Sequence, residues 1–199
     1  MTAMIERPRP IEVTEGERAF EDVLRTVEEM NTPDGHKAEL IRGKIVVSAW
    51  SRLRYFIPME SLREQLTEHV AADQVATHAP FLFSFPSVGR AYGPDLYVVD
   101  RSAFLTEERH GDGEALSLVA EFTSTSTRDA DWREKLQVHG QLVPVYLVVD
   151  MQEDEITCFS DPSPQGYRAH RTVSFGTPLP VPAPFSCEID TTAFKAAAG

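Results

Sequence analysis

The chain has 199 residues, 42% of them hydrophobic and 25% charged, which fits a domain with a real core and excludes global disorder. Its formal net charge of −12 makes duplex DNA a poor partner, because non-specific affinity for phosphates comes from clustered Lys and Arg. No apolar run reaches the length of a bilayer span and the first residues lack an apolar leader core, so no membrane partner is expected and the location is taken as cytoplasmic.

Residues 1–13 are irregular and Pro-containing, a flexible N-terminal segment; residues 14–199 are expected to form a single domain. Thr14 and Glu17 have capping-box spacing, and Phe20, Val23, Leu24, Val27 and Met30 follow at helical intervals, which predicts an amphipathic helix over 15–30. Turn chemistry at 31–35 stops it. Apolar runs at 38–41 and 44–48 flank Arg42-Gly43 as a hairpin. Basic and aromatic residues then mingle at 48–55, before a second helix with Pro58 in its first turn and Met59, Leu62, Leu66 and Val70 as its stripe. Strands are expected at 75–85, 95–100, 116–122 and 143–149, the last continuous enough to be buried on both faces. A charged excursion fills 101–114, a helix covers about 129–140, a hairpin joins 155–160 to 167–175, and a Pro-spaced extended tail covers 178–184. This order predicts an α/β (α+β) domain: a mixed β-sheet flanked by helices, with a right-handed crossover from 116 to 149. Cys158 and Cys187 show no CxxC spacing and read as free thiols, with no zinc site.

The chemistry gathers between Gly93 and His139. Asp95 follows Pro94 at a strand entry. Glu121 interrupts an otherwise apolar strand, where a carboxylate is costly unless something pairs with it or a metal takes it. Oxygen donors of this kind suit Mg²⁺ or Mn²⁺. Asp131, Lys135 and His139 lie four residues apart and share a helix face, so Lys135 could reach back over the strand carrying Glu121. Two carboxylates and a lysine are what metal-dependent phosphodiester hydrolysis needs. Ser124, Ser126 and Thr127 could cap that helix and contact a phosphate. No GxSxG, GxGxxG or P-loop sequence occurs, which argues against a serine hydrolase or a nucleotide-dependent enzyme.

These residues resemble a known family. The runs at 93–96, 118–127, 131–135 and 143–150, preceded by the hairpin at 39–46, are similar to the bacterial Uma-two family of restriction endonucleases, a branch of the PD-(D/E)XK nuclease-like superfamily. The likeness covers about residues 36–160. It implies a restriction-endonuclease-like core, Asp95 and Glu121 as metal ligands, Lys135 as the catalytic lysine moved onto a helix, and Glu39 as a third acid. Thr123 stands where the superfamily's usual lysine would be, and His139 where the family often has a tyrosine. The 52–58 region lacks the histidine often found there.

Two function classes remain open on sequence alone. One is a Mg²⁺- or Mn²⁺-dependent nuclease acting on nucleic acid bound weakly, through a partner or as a homodimer. The alternative is a catalytically silent protein of the same fold serving as an interaction or regulatory module, with Glu121 in a structural ion pair to Lys135 or Arg128. An apolar edge at 143–149 or 167–175 would support the homodimer.

Overall fold

Helical spacing of apolar residues produces α1 (Glu15–Glu29) in the computed structural model, which describes residues 15–49, 51–123 and 130–197. Leu24 and Val27 bury against Leu40 and Ala91, with Phe20 and Val23 packed beside them. The proposed cap Thr14, the N-terminal segment 1–13 and residues 124–129, including Ser124, lie outside the described residues. β1 (His36–Ile41) and β2 (Lys44–Ala49) form the expected hairpin. Arg42 and Gly43 both take positive φ (51° and 69°), as a two-residue turn matching strand twist requires. The Arg42 guanidinium pairs with Glu134 and so ties the hairpin tip to a distant helical turn.

α2 (Phe56–Thr67) buries Pro58, Met59, Leu62 and Leu66. The apolar run at 75–85 is not one strand. It breaks into β3 (Gln74–Thr77) and β4 (Leu82–Phe85), which join different sheets; Pro80 lies in the break and could not have donated to a ladder. β5 (Arg90–Tyr92) and β6 (Leu96–Asp100) follow. The excursion at 101–114 contains an unforeseen short strand, β7 (His110–Asp112), parallel to β4. β8 (Leu116–Thr123) is buried along its whole length. The predicted helix begins as a wide π turn over Ala130–Lys135 and continues as α3 (Leu136–Leu142). β9 (Val145–Asp150), β10 (Glu155–Ser160) and β11 (Ala169–Ser174) follow, and the tail adds a hairpin of β12 (Leu179–Val181) and β13 (Cys187–Ile189).

One sheet has the order β2-β1-β5-β4-β7 and the other β11-β10-β9-β8-β6-β3. β8 and β9 run parallel, as the strand–helix–strand pattern requires, while the other neighbours in the larger sheet are antiparallel. β9 sits between β8 and β10 with every residue buried. The expected apolar edge at 143–149 therefore does not exist, and only β11 offers an edge, with Val173 its one buried residue.

Alternation along the strands sorts the larger sheet's side chains to two cores. Leu96, Val98, Leu118, Ala120, Leu147 and Val149 face α2 and the C-terminal hairpin. Tyr97, Val99, Val119, Tyr146 and Val148 face α3 and the smaller sheet. Glu121 is two residues past Val119, and Asp95 two before Tyr97, so both carboxylates fall on the α3 side. The last printed pair of β6 and β8 is Leu96 with Ala120; one step further sets Asp95 opposite Glu121.

α3 lies hard against the loop after β10. A Cβ at Gly140 would come within 2.9 Å of the Gly166 Cα and of the Tyr167 nitrogen, and the Ser163 amide donates to the Gly140 carbonyl at 3.1 Å. Among the described residues no helix is long and apolar enough to cross a membrane.

Both cysteines are free thiols, as expected. Burial pushes the Cys158 thiol up to about 12, so it should resist iodoacetamide at pH 8 in the native protein and react only after denaturation. Peptide mass spectrometry reads this directly; quantitative native labelling of Cys158 would refute the packing around β10.

Candidate active site

Three structural units meet at one buried cluster of charges. β1 alternates Lys37 and Glu39 onto its inward face, two residues apart. The β6 entry and β8 contribute Asp95 and Glu121. The π turn before α3 contributes Asp131 and Lys135, with His139 one turn on. Relative exposure is 3% for Glu39, 2% for Glu121, 1% for Asp131, 2% for Lys135 and 0% for His139. Glu39, expected on the hairpin surface unless the fold carried it inward, is thus carried inward.

Lys135 is the hub. Its Nζ lies 2.9 Å from Glu121 Oε1, 3.1 Å from Glu39 Oε1 and 3.4 Å from Asp131 Oδ1, and it sits 5.8 Å from the centroid of the Tyr92 ring. The wider π turn does not separate Asp131 from Lys135, and the Tyr146 hydroxyl fastens that turn by donating to the Asp131 carbonyl at 3.0 Å. A second cation, Lys37, lies 3.3 Å from Asp95 Oδ1 and donates to the Gly93 carbonyl at 2.5 Å. The Gly93 amide in turn donates to Glu39 Oε1 at 2.9 Å, and the Phe122 amide to Asp95 Oδ2 at 2.9 Å. One glycine peptide thereby bridges the two ion pairs.

The electrostatics follow from excess acid in a dry place. Four carboxyls (Glu39, Asp95, Glu121, Asp131) face two ammoniums (Lys37, Lys135), a formal balance of −2. Burial pushes the Glu121 carboxyl up to about 8 despite Lys135 and Lys37. Burial also opposes the charge on Glu39, yet Lys135, Lys37 and the Gly93 amide together hold its pKa below the usual range. For Lys135, burial is outweighed by Glu121, Glu39 and Asp131, and the ammonium is held well above its ordinary range; Lys37 is raised in the same way by Asp95 and Glu39.

His139 shares the Lys135 face as expected, but it meets rings rather than acids. Phe85, Tyr92 and Tyr146 surround it at centroid distances of 5.5, 5.5 and 4.9 Å, and neither ring nitrogen has a hydrogen-bond partner among the described residues. Burial lowers its pKa to about 3, so it is neutral at physiological pH. Thr123, at the position of the superfamily's usual lysine, turns instead to Asp150 Oδ1 at 3.4 Å, and Trp132 donates to the other oxygen of Asp150 at 3.2 Å.

Lys37 is the residue that sequence reasoning missed. The signal was available: in β1 two charged residues, Lys37 and Glu39, share the strand face that also carries Ile41. Among the described residues no set of three or more His, Cys, Asp or Glu is arranged to hold a metal ion. The donor chemistry nonetheless suits a hard divalent cation: the carboxylates of Glu39, Asp95 and Glu121 are oxygen donors in charge excess, now satisfied by ammoniums.

Fold and site together define a nuclease-like α/β protein with a restriction-endonuclease-like core. The fold is shared with a crystal structure described as "a putative nuclease belonging to DUF820" from Anabaena variabilis ATCC 29413, with a TM-score of 0.63 and 16% sequence identity over 89% of this chain and 98% of that one. Residues 21–193 match the family model Uma2, described as "Putative restriction endonuclease", and the chain belongs to that family. No curated protein matches the sequence.

Proposed function

We propose that the protein is a metal-dependent nuclease that hydrolyses phosphodiester bonds at this cluster. One observation carries the reading: acids from two sheets turn inward onto two buried lysines, beside a helix that delivers Lys135 among them. Asp95 and Glu121 would hold Mg²⁺ or Mn²⁺, with Glu39 as a further oxygen donor. The bound ion would supply positive charge at the scissile phosphate. Lys135 would add a second positive charge beside the same carboxylates, against the charge that develops on the phosphoryl oxygens, or orient the attacking water. Lys37 would keep Asp95 ionised and aimed.

The test is cleavage of single- and double-stranded DNA and of RNA with Mg²⁺ or Mn²⁺. Cleavage should require the ion, stop in EDTA, and fall by roughly 100-fold or more in Glu121→Gln. Activity that persists in EDTA or is unchanged in the variant would sink the proposal. One observation favours a second reading, a silent interaction module: the acids are already compensated by the chain's own lysines. It predicts no cleavage of any polymer and a melting temperature that Mn²⁺ does not raise.

A further inference from the structure

The buried cluster has an approach. A cavity of about 250 Å³ between α1, β1 and β4 is lined by Lys37 and Gly93 at one end and by Phe81 and Arg109 at the other. A second cavity, of about 270 Å³, shares Phe81 and Arg109 and extends to Phe104. The two are therefore joined at Phe81 and Arg109, and the path runs from the cation beside Asp95 to the surface. The Phe81 carbonyl lies 3.7 Å from where a Cβ would stand on Gly93, so the aromatic surface begins next to the cluster.

Phe81 and Phe104 are 47% and 39% exposed, and their ring centroids are 5.6 Å apart at an interplanar angle of 56°. A base inserted between two rings needs roughly 7 Å, twice a van der Waals contact. These rings are too close for that, so a base would lie on their outward faces. Arg109 is exposed and has no hydrogen bond or ion pair among the described residues. The nearby acid Glu28 is engaged by His110 at 2.6 Å, while Glu107 and Glu108 are exposed neighbours of Arg109 in the chain. Local charge is thus too balanced to hold a duplex by its phosphates. Ring faces are what the surface offers, and only unpaired bases present their faces.

We propose that Phe81 and Phe104 form a stacking platform for unpaired bases of single-stranded DNA, with Arg109 on an adjacent phosphate, leading the strand to the Lys37–Asp95 end of the cluster. This rests on the nuclease reading and deepens it by naming the substrate class; DNA is chosen because the family is described as one of restriction endonucleases. With a single available cation, the salt dependence should be shallow, about 0.7 in log–log slope for one phosphate contact.

The experiment is fluorescence anisotropy in EDTA with a labelled thymidine 12-mer, its duplex with the complementary strand, and a uridine 12-mer. The wild-type chain should bind the single-stranded DNA about tenfold more tightly than the duplex. Phe81→Ala with Phe104→Ala should weaken it about tenfold or more, Phe81→Trp with Phe104→Trp should restore it, and Arg109→Ala should flatten the salt slope. The substituted positions are exposed, and circular-dichroism melts verify folding. Duplex preferred over the single strand, RNA preferred over DNA, or alanine variants that bind like wild type would each overturn the proposal. Binding in EDTA requires no turnover. A chain that binds through these rings but cuts nothing keeps this inference and loses the nuclease reading, whereas one that cuts with binding indifferent to the rings loses only this inference.

Discussion

Lys135→Met should lower the stability of the fold by about 3–5 kcal/mol, because it strips the common partner from buried carboxyls on two strands and a helical turn. In a chain of this size that corresponds to a fall in melting temperature of roughly 10 °C. Lys135→Arg, which keeps the charge, should recover much of it while disturbing the donor geometry. The loss in Lys135→Met should also shrink at acid pH. Glu39 has a depressed pKa in the fold, so its contribution is present above the unfolded carboxyl value and disappears as pH falls through the folded one; without Lys135 that contribution is largely gone at every pH. Thermal melts between pH 4 and 8 make the comparison. A methionine variant that melts with the wild type would mean that the cluster is not the electrostatic keystone described above.

The second large effect belongs to His139. In the unfolded chain an imidazole titrates near 6.5, whereas burial among Phe85, Tyr92 and Tyr146 lowers the folded value to about 3. The stability that goes with neutral His139 is complete above pH 6.5 and is lost progressively as the pH falls towards 3, reaching about 5 kcal/mol at the bottom of that window. His139→Phe removes the titration while keeping an aromatic ring, so its stability should fall less steeply on acidification. Urea unfolding at several pH values between 3 and 7 measures the two slopes; equal slopes would show that His139 gains a proton partner in the folded state.

Much of the site was legible in the sequence, for identifiable reasons. Glu121 stood out because it breaks an apolar strand, and it is indeed a buried acid that needs a partner. The four-residue spacing of Asp131, Lys135 and His139 was enough to place them on one face, although the π turn was not foreseeable from spacing alone. Lys37 stayed hidden because a charged residue near a hairpin is ordinarily solvated. Its burial depends on the smaller sheet packing across the mouth of the larger one, a contact that no local pattern encodes. The short strand β7 was missed for a similar reason: three residues, His110, Gly111 and Asp112, carry little strand propensity and are held by pairing with β4. The break at Pro80 was written in the sequence and was read through.

The seat of α3 against the Gly166 loop bears on the same chemistry. Five residues separate Gly140 from Lys135, a little over one turn. The helix can lie as deep as it does only because position 140 has no Cβ. A helix is a stiff lever, and lifting it at one end would draw the ammonium away from Glu39 and Glu121 at the other. The depth to which the lysine reaches is therefore gauged by an absent methyl group on the far side of the helix, against a loop that touches none of the acids.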